Sequence, residues 1–311
     1  MKINRVGNYN TGFKYYKNKK EITNEDDIEK IRLLKIPPAY ENVTIINNKK
    51  IIAYGYDSKN RKQVLYNPSF IAKQNAKKYN KIAASVNIFT KLKKKIAADL
   101  NSGDEKIKAI AIIITLILTC GFRIGNKKYE KENNSVGLTT LKYKHLKFEN
   151  NKCLIDFIGK KGVRNTAYCD NSKIYEYLHN KYKQSAGEDY VFTYGDGDAK
   201  IITSSDVNEY LKINSNLYSK DDSIVITTKD LRTWNANMLF IIYYKKLRKR
   251  KDAGAAGAVD DVKRDKENKK DIKRAIEMVA EKLHNTYSIC KKSYIDPEII
   301  ANAEKQIKID L

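Results

Sequence analysis

Hydrophobic and polar positions along this chain change period near residue 77. Upstream, Val43-Thr44-Ile45-Ile46 and Ile51-Ile52-Ala53-Tyr54-Gly55-Tyr56 are β-branched and aromatic runs flanking the polar turn Asn47-Asn48-Lys49-Lys50. A third run, Gln63-Val64-Leu65-Tyr66, ends at Asn67-Pro68. Runs of this kind bounded by turn residues predict strands. Residues 1–76 therefore read as a small antiparallel β module, with the basic loop Asp57-Ser58-Lys59-Asn60-Arg61-Lys62 on the sheet rim. Downstream the spacing is helical: Ile82, Ile88-Phe89, Leu92 and Ile96 recur on one face and lysines fill the other.

The run Ala109–Phe122, 14 residues apolar on nearly all sides, predicts a buried central helix. It ends in Cys120-Gly121-Phe122-Arg123-Ile124-Gly125-Asn126, so Arg123 stands between two glycines where backbone can approach closely. A hairpin interrupts the helices: Cys153–Ile158 and Val163–Tyr168 flank Gly159-Lys160-Lys161-Gly162, which sets two lysines at an exposed tip. A further helix is expected from Thr228 as N-cap. It carries Leu231, Trp234, Met238 and Ile241/Ile242 on one face and Arg232 in the first turn. Residues 248–274, basic at both ends around an Ala/Gly-rich stretch at 253–258, show no apolar periodicity and read as a charged linker or solvated helical hairpin. A short amphipathic helix over Ile276–Leu283 leads into His284-Asn285-Thr286 and on to Tyr294-Ile295-Asp296-Pro297. The fold class is α+β: a β-rich domain at 1–76 and a larger, mainly α domain at 77–311.

Composition narrows the function. The 311 residues carry 61 Lys+Arg against 37 Asp+Glu, a net charge of +24. Residues 1–100 hold 22 basic and 8 acidic side chains, a net +14, and the remaining 211 supply +10. AT-rich codon usage accounts for many lysines but not for their uneven placement, which points to a polyanion, nucleic acid first. The longest apolar run is short of the ~20 residues needed to span a bilayer. No apolar leader follows Met1, so an intracellular protein without a membrane partner is expected. The four cysteines lie far apart without metal-ligand spacing, which predicts reduced, buried thiols. No phosphate-binding glycine loop and no carboxylate cluster stand out, so neither a metal nor any other cofactor is expected.

Arg123, Lys160, Arg232 and Tyr294 are the residue types that phosphoryl transfer without a metal requires. Two guanidiniums can hold the non-bridging oxygens, a lysine can protonate a leaving oxygen, and a tyrosine can attack and keep the bond energy in a covalent link. The order alone is weak in a chain with 22 tyrosines. The surrounding strings are specific. Gly121-Phe122-Arg123-Ile124-Gly125-Asn126 with Val136-Gly137-Leu138-Thr139-Thr140-Leu141 resembles the first catalytic-arginine region of type IB DNA topoisomerases, poxviral and bacterial. Phe157-Ile158-Gly159-Lys160 resembles their lysine hairpin, Lys229-Asp230-Leu231-Arg232-Thr233 the second arginine motif, and Lys291-Lys292-Ser293-Tyr294-Ile295-Asp296-Pro297 the nucleophile string. Tyr56–Gln63 is similar to their DNA-gripping loop. The likeness runs in one order over about residues 35–300.

That resemblance implies two domains closing as a clamp on duplex DNA, and two transesterifications through a 3′-phosphotyrosine at Tyr294, without ATP or metal. It implies a monomer with no obligate protein partner. If the source is a large DNA virus, as the composition and the family likeness suggest, the protein would act where viral DNA replicates in the host cell, with the virion as a second location. Lys59, Arg61, Gln63, Lys128, Tyr129 and Lys229 are candidate DNA contacts. Many relatives carry a histidine nine residues before the nucleophile; here Asn285 stands there, and His284, one residue off register, is expected to pack or cap locally. Lys161 could compete with Lys160 for the acid role. Two other classes share some features. Tyrosine recombinases use a similar catalytic group, though their second arginine usually sits in His-x-x-Arg, and here the string is Lys229-x-x-Arg232. A non-catalytic basic DNA-binding protein would explain the charge alone.

Overall fold

The computed structural model describes residues 2–195, 198–219, 224–252 and 261–309. The chain divides into two compact units, Met1–Asn80 and Lys81–Leu311. The boundary expected at 76/77 lies inside the same helix, α2 (Pro68–Ala84), as this division. Among the described residues no helix is long and apolar enough to cross a membrane.

The first unit is a six-stranded antiparallel sheet in the order β3-β2-β1-β4-β5-β6. Strands β4 (Glu41–Ile45), β5 (Ile51–Tyr56) and β6 (Lys62–Tyr66) follow the apolar runs, while β1 (Ile3–Asn8), β2 (Gly12–Lys17), β3 (Lys20–Glu21) and helix α1 (Glu25–Arg32) were not legible in the pattern. Strand β1 inverts the usual alternation: Arg5 is buried and Val6 is exposed. The Arg5 guanidinium donates to the carbonyls of Pro37 and Tyr40 and lies 4.2 Å over the Phe13 ring. Tyr15, Ile31, Val43, Ile45, Ile52 and Ala53 form the core.

The second unit is mainly helical, which completes the α+β architecture. After a break at Ser85, α3 (Val86–Asp99) packs on α4 (Glu105–Cys120). Asp104 caps α4 by accepting from the Ile107 N–H. Ala109 to Ile114 are all at most 3% exposed, so α4 is buried on every side, and each Ile or Leu so placed contributes about 1.5–3 kcal/mol. The short helix α5 (Lys127–Asn133) leads to a three-stranded sheet of β7 (Leu146–Glu149), β8 (Lys152–Ile158) and β9 (Arg164–Cys169). Helices α6 (Ser172–Tyr182) and α7 (Ser204–Tyr218) complete the first core with the start of α8 (Thr228–Asp252). The rest of α8 forms a second core with α9 (Asp261–Lys282), α10 (Tyr287–Ser293) and α11 (Pro297–Glu304). All four cysteines are free and buried.

Two expectations change here. Helix α8 is capped by Thr227, not Thr228: the Thr227 hydroxyl accepts from Asp230 N–H at 3.3 Å, and the Asp230 carboxylate accepts from Thr227 N–H at 3.0 Å. The Asp230 carboxylate also holds Lys81 at 2.7 Å. Leu231 and Trp234 face the first core while Phe240, Ile241 and Tyr244 face the second, and Ile242 is exposed, so α8 is buried on two sides. In the segment 248–274, the Ala/Gly stretch at 253–258 lies outside the described residues, but the flanks are helical. They have an inner face: Asn268, Asp271 and Ile272 are buried, with Asn268 donating to Ala303 O and accepting from Tyr244 Oη. Polar side chains at these buried positions hide the helical period from a hydrophobic pattern.

Candidate active site

Gly121 ends α4 in the left-handed region at φ +70°, which a glycine adopts freely. Its position leaves no room for a side chain, because a Cβ there would lie 2.0 Å from the Lys282 carbonyl oxygen. The segment Cys120–Arg123 therefore runs directly against the end of α9. Beyond it, Gly125 and Gly137 touch so closely that a Cβ on Gly137 would come within 2.4 Å of Gly125 Cα. That contact lets Leu138 N–H donate to Arg123 O at 3.0 Å and Thr139 N–H to Ile124 O at 2.7 Å. Val136 N–H in turn donates to Ile158 O at 3.0 Å. Backbone pairing thus connects the Arg123 segment to the end of β8, where Gly159-Lys160 begins the hairpin turn.

Arg232 lies in the second turn of α8 rather than the first, and it is 4% exposed. Its Nη1 donates to Gly121 O and Phe122 O, and its Nη2 to Leu283 O at 3.2 Å. Three of five guanidinium donors are so engaged, while Nε is buried without a hydrogen-bond partner among the described residues. Burial pulls the Arg232 pKa down. Arg123, half-buried, donates through Nη2 to Asn285 Oδ1. The Asn285 Nδ2 is buried and unpartnered among the described residues. Unmet buried donors of this kind cost about 1–3 kcal/mol each.

Tyr294 closes the group. Its ring centroid is 5.5 Å from Arg232 Cζ. Burial pushes its phenol up, but the charges of Arg232 and Arg123 outweigh that effect and hold its pKa below the ordinary tyrosine value. The backbone of Tyr294 is fixed by a residue the sequence reading missed. Asn237 of α8 donates from Nδ2 to Tyr294 O at 2.9 Å and accepts at Oδ1 from Asp296 N–H at 2.8 Å. Asn235 donates to Leu118 O at 2.8 Å and ties α8 to α4. Two asparagines inside a helix that needs apolar residues are the signal that could have exposed them.

Arg123, Arg232, Asn285 and Tyr294 thus converge from three separated stretches of chain. Lys160 and Lys161 stand exposed on the hairpin, Lys161 at φ +63°, and neither hydrogen-bonds or ion-pairs with those four groups. His284 does cap α9, as expected of a helix-end residue, and also reaches across to the Arg123 segment at Cys120 O. Among the candidate DNA contacts, Lys128, Tyr129 and Lys229 are exposed on the second unit. Lys59, Arg61 and Gln63 belong to the first, where Asp57 organises them. The Asp57 carboxylate accepts from the Lys59 and Arg61 N–H groups, from Arg61 Nε at 2.9 Å and from Gln63 Nε2 at 3.0 Å. The hydrogen bond from the Arg61 side chain holds the Asp57 carboxyl at about 2.

Residues 59–310 match the family model described as eukaryotic DNA topoisomerase I, catalytic core, and residues 12–57 that of the bacterial DNA topoisomerase IB N-terminal domain. The chain is 32% identical over 293 residues to DNA topoisomerase 1B of Acanthamoeba polyphaga mimivirus, covering 90% of this chain and 81% of that one. It is 25% identical over 291 residues to DNA topoisomerase 1B of vaccinia virus (strain Western Reserve), covering 91% and 84%. The match to DNA topoisomerase 1 of Rabbit fibroma virus is 24% over 274 residues, covering 86% and 78%.

Proposed function

The chain belongs to the type IB DNA topoisomerases, and from that membership we propose that it relaxes supercoiled duplex DNA through Tyr294. The phenolate attacks a backbone phosphorus, forming a 3′-phosphotyrosine and expelling a 5′-hydroxyl. Strand rotation relieves the torsion, and the hydroxyl attacks back to release the tyrosine. Arg123, Arg232 and Asn285 receive the charge that grows on the non-bridging oxygens, and Lys160 protonates the departing 5′-oxygen. The phosphodiester energy is conserved in the tyrosine link, so the chemistry balances without ATP. Lys59, Arg61, Gln63, Lys128, Tyr129 and Lys229 supply contacts to the duplex, and the protein works as a monomer inside the cell, at the site of viral DNA replication if its source is a virus.

The observation that supports this reading best is the convergence of Arg232 and Arg123 on the phenol of Tyr294, with Arg123 also bonded to Asn285. The test is relaxation of a supercoiled plasmid in EDTA without nucleotide. Wild type relaxes it and yields a detergent-trapped covalent adduct. Tyr294→Phe loses both while binding DNA as before. An adduct persisting in the Phe variant would assign the nucleophile elsewhere, with Tyr287 the next to examine.

A further inference from the structure

Between the two segments that carry the active groups lies a histidine in an unusual backbone state. His284 follows α9 at φ +51°, a region glycine would enter without strain. Its N–H donates to Glu281 O at 3.1 Å and the next N–H, of Asn285, to Ala280 O at 2.9 Å, so the chain reverses sharply there. This reversal turns Asn285 back toward Arg123. The side chain makes two further contacts across the gap. Its Nε2 lies 3.0 Å from Cys120 O, and its ring stacks on Phe122 with centroids 5.2 Å apart and planes at 16°. On either side of it, Leu283 O accepts from Arg232 and Asn285 Oδ1 accepts from Arg123.

We propose that His284 is a positioning residue for the transesterification: pinned to Cys120 O and Phe122, it fixes the angle between Asn285 and Arg123 at which both meet the same phosphate. Two segments 160 residues apart in sequence, Cys120–Arg123 and Leu283–Asn285, are joined by side-chain bonds from Arg232, Arg123 and His284. Of these, the His284 contacts are the ones that touch no reacting atom. Burial, reinforced by the nearby charges of Arg232, Arg123 and Lys282, holds the imidazole below the ordinary histidine pKa in spite of its bond to Cys120 O. The ring is therefore neutral at ordinary pH and donates through Nε2.

This inference rests on the reading of Asn285 and Arg123 as phosphate contacts, and its test separates the two. Single-turnover cleavage of a short duplex that traps the covalent adduct is measured for the full chain and for His284→Gly, His284→Gln, Asn285→Ala, Arg123→Ala and the His284→Gly/Asn285→Ala double variant. Glycine suits the backbone and removes the pin, so cleavage should slow about 10- to 100-fold, as expected for a misplacement near 1 Å, with DNA affinity unchanged. Glutamine keeps an N–H donor of similar reach and should recover part of that loss. Asn285→Ala alone should slow cleavage ~10–10³-fold. Adding His284→Gly to it should change the rate less than about threefold, because the pin then has nothing left to orient. A His284→Gly variant as fast as wild type, or full multiplication of the two losses, would overturn the inference. Wild-type rates in both Asn285→Ala and Arg123→Ala would instead overturn the catalytic reading beneath it.

Discussion

Replacing Gly121 by alanine tests whether the contact between the end of α4 and the end of α9 sets the reaction geometry. The added Cβ would sit 2.0 Å from Lys282 O, 2.9 Å from Lys282 C and 3.1 Å from Leu283 Cα, all backbone atoms that cannot swing aside as a side chain would. Relief to ordinary van der Waals distance requires the two segments to part by more than 1 Å. The left-handed backbone adds about 1–2 kcal/mol for alanine, and overpacking of a tight contact adds typically 1–3 kcal/mol. For a unit of this size the sum lowers the melting temperature on the order of 10 °C. The same parting stretches the Arg232 bonds to Gly121 O, Phe122 O and Leu283 O, which bridge the gap. Single-turnover cleavage should fall about 10²-fold at temperatures where the variant remains folded. Gly103→Ala is the control: nothing lies within 4 Å of its Cβ and its φ is not left-handed, so both stability and rate should stay near wild type. A Gly121→Ala enzyme that melts and cleaves like the Gly103→Ala control would refute the argument.

Two further outcomes follow from the same geometry. Lys160→Ala should slow cleavage ~10²–10⁴-fold, and a substrate with sulfur at the 5′-bridging position, whose leaving group needs no proton, should restore the rate; restoration of Lys161→Ala instead would move the acid role one residue along the turn. The rate of cleavage should rise with pH and level off below the ordinary tyrosine pKa of ~10, since Arg232 and Arg123 lower that of Tyr294; in Arg123→Ala the plateau should move to higher pH because burial, which raises it, is less opposed, and an unmoved profile would show that Arg123 does not tune the nucleophile.

The parts of this protein that could be read from sequence share a physical cause. Helix α4 has apolar residues all round because every side is buried, and the hairpin announces itself through glycines and lysines that only a turn accommodates. Arg123, Arg232 and Tyr294, which the fold brings together, each sit in a string whose neighbours have fixed local duties, such as the Asp230 side chain that caps the helix carrying Arg232. What stayed hidden depends on polar groups doing interior work. Arg5 faces inward in β1 because four backbone carbonyls of residues 36–40 surround its guanidinium, and hydropathy marks that strand as unremarkable polar chain. Asn237 and His284 act through bonds to backbone far away in sequence, which no period or motif records. The Thr227 cap was misplaced by one residue because two adjacent threonines offer the same chemistry, and only the backbone decides between them.

The socket around Arg232 has a consequence for the order in which the parts of the proposed site are made. Its walls come from Gly121 and Phe122, from α8, and from Leu283, and Tyr294, the proposed nucleophile, follows only after them. The excess of positive charge, by contrast, is greatest in the first 100 residues, +14 against +10 for the other 211. During synthesis, the chain therefore gains most of its net positive charge, which attracts a polyanion, long before it gains the proposed nucleophile. A product ending just before Tyr294 would keep that charge, Arg123 and Arg232 but lack the proposed nucleophile. Cleavage on the proposed chemistry is thereby confined to chains that extend past residue 294 and have brought α8 against the segments at Gly121–Phe122 and Leu283.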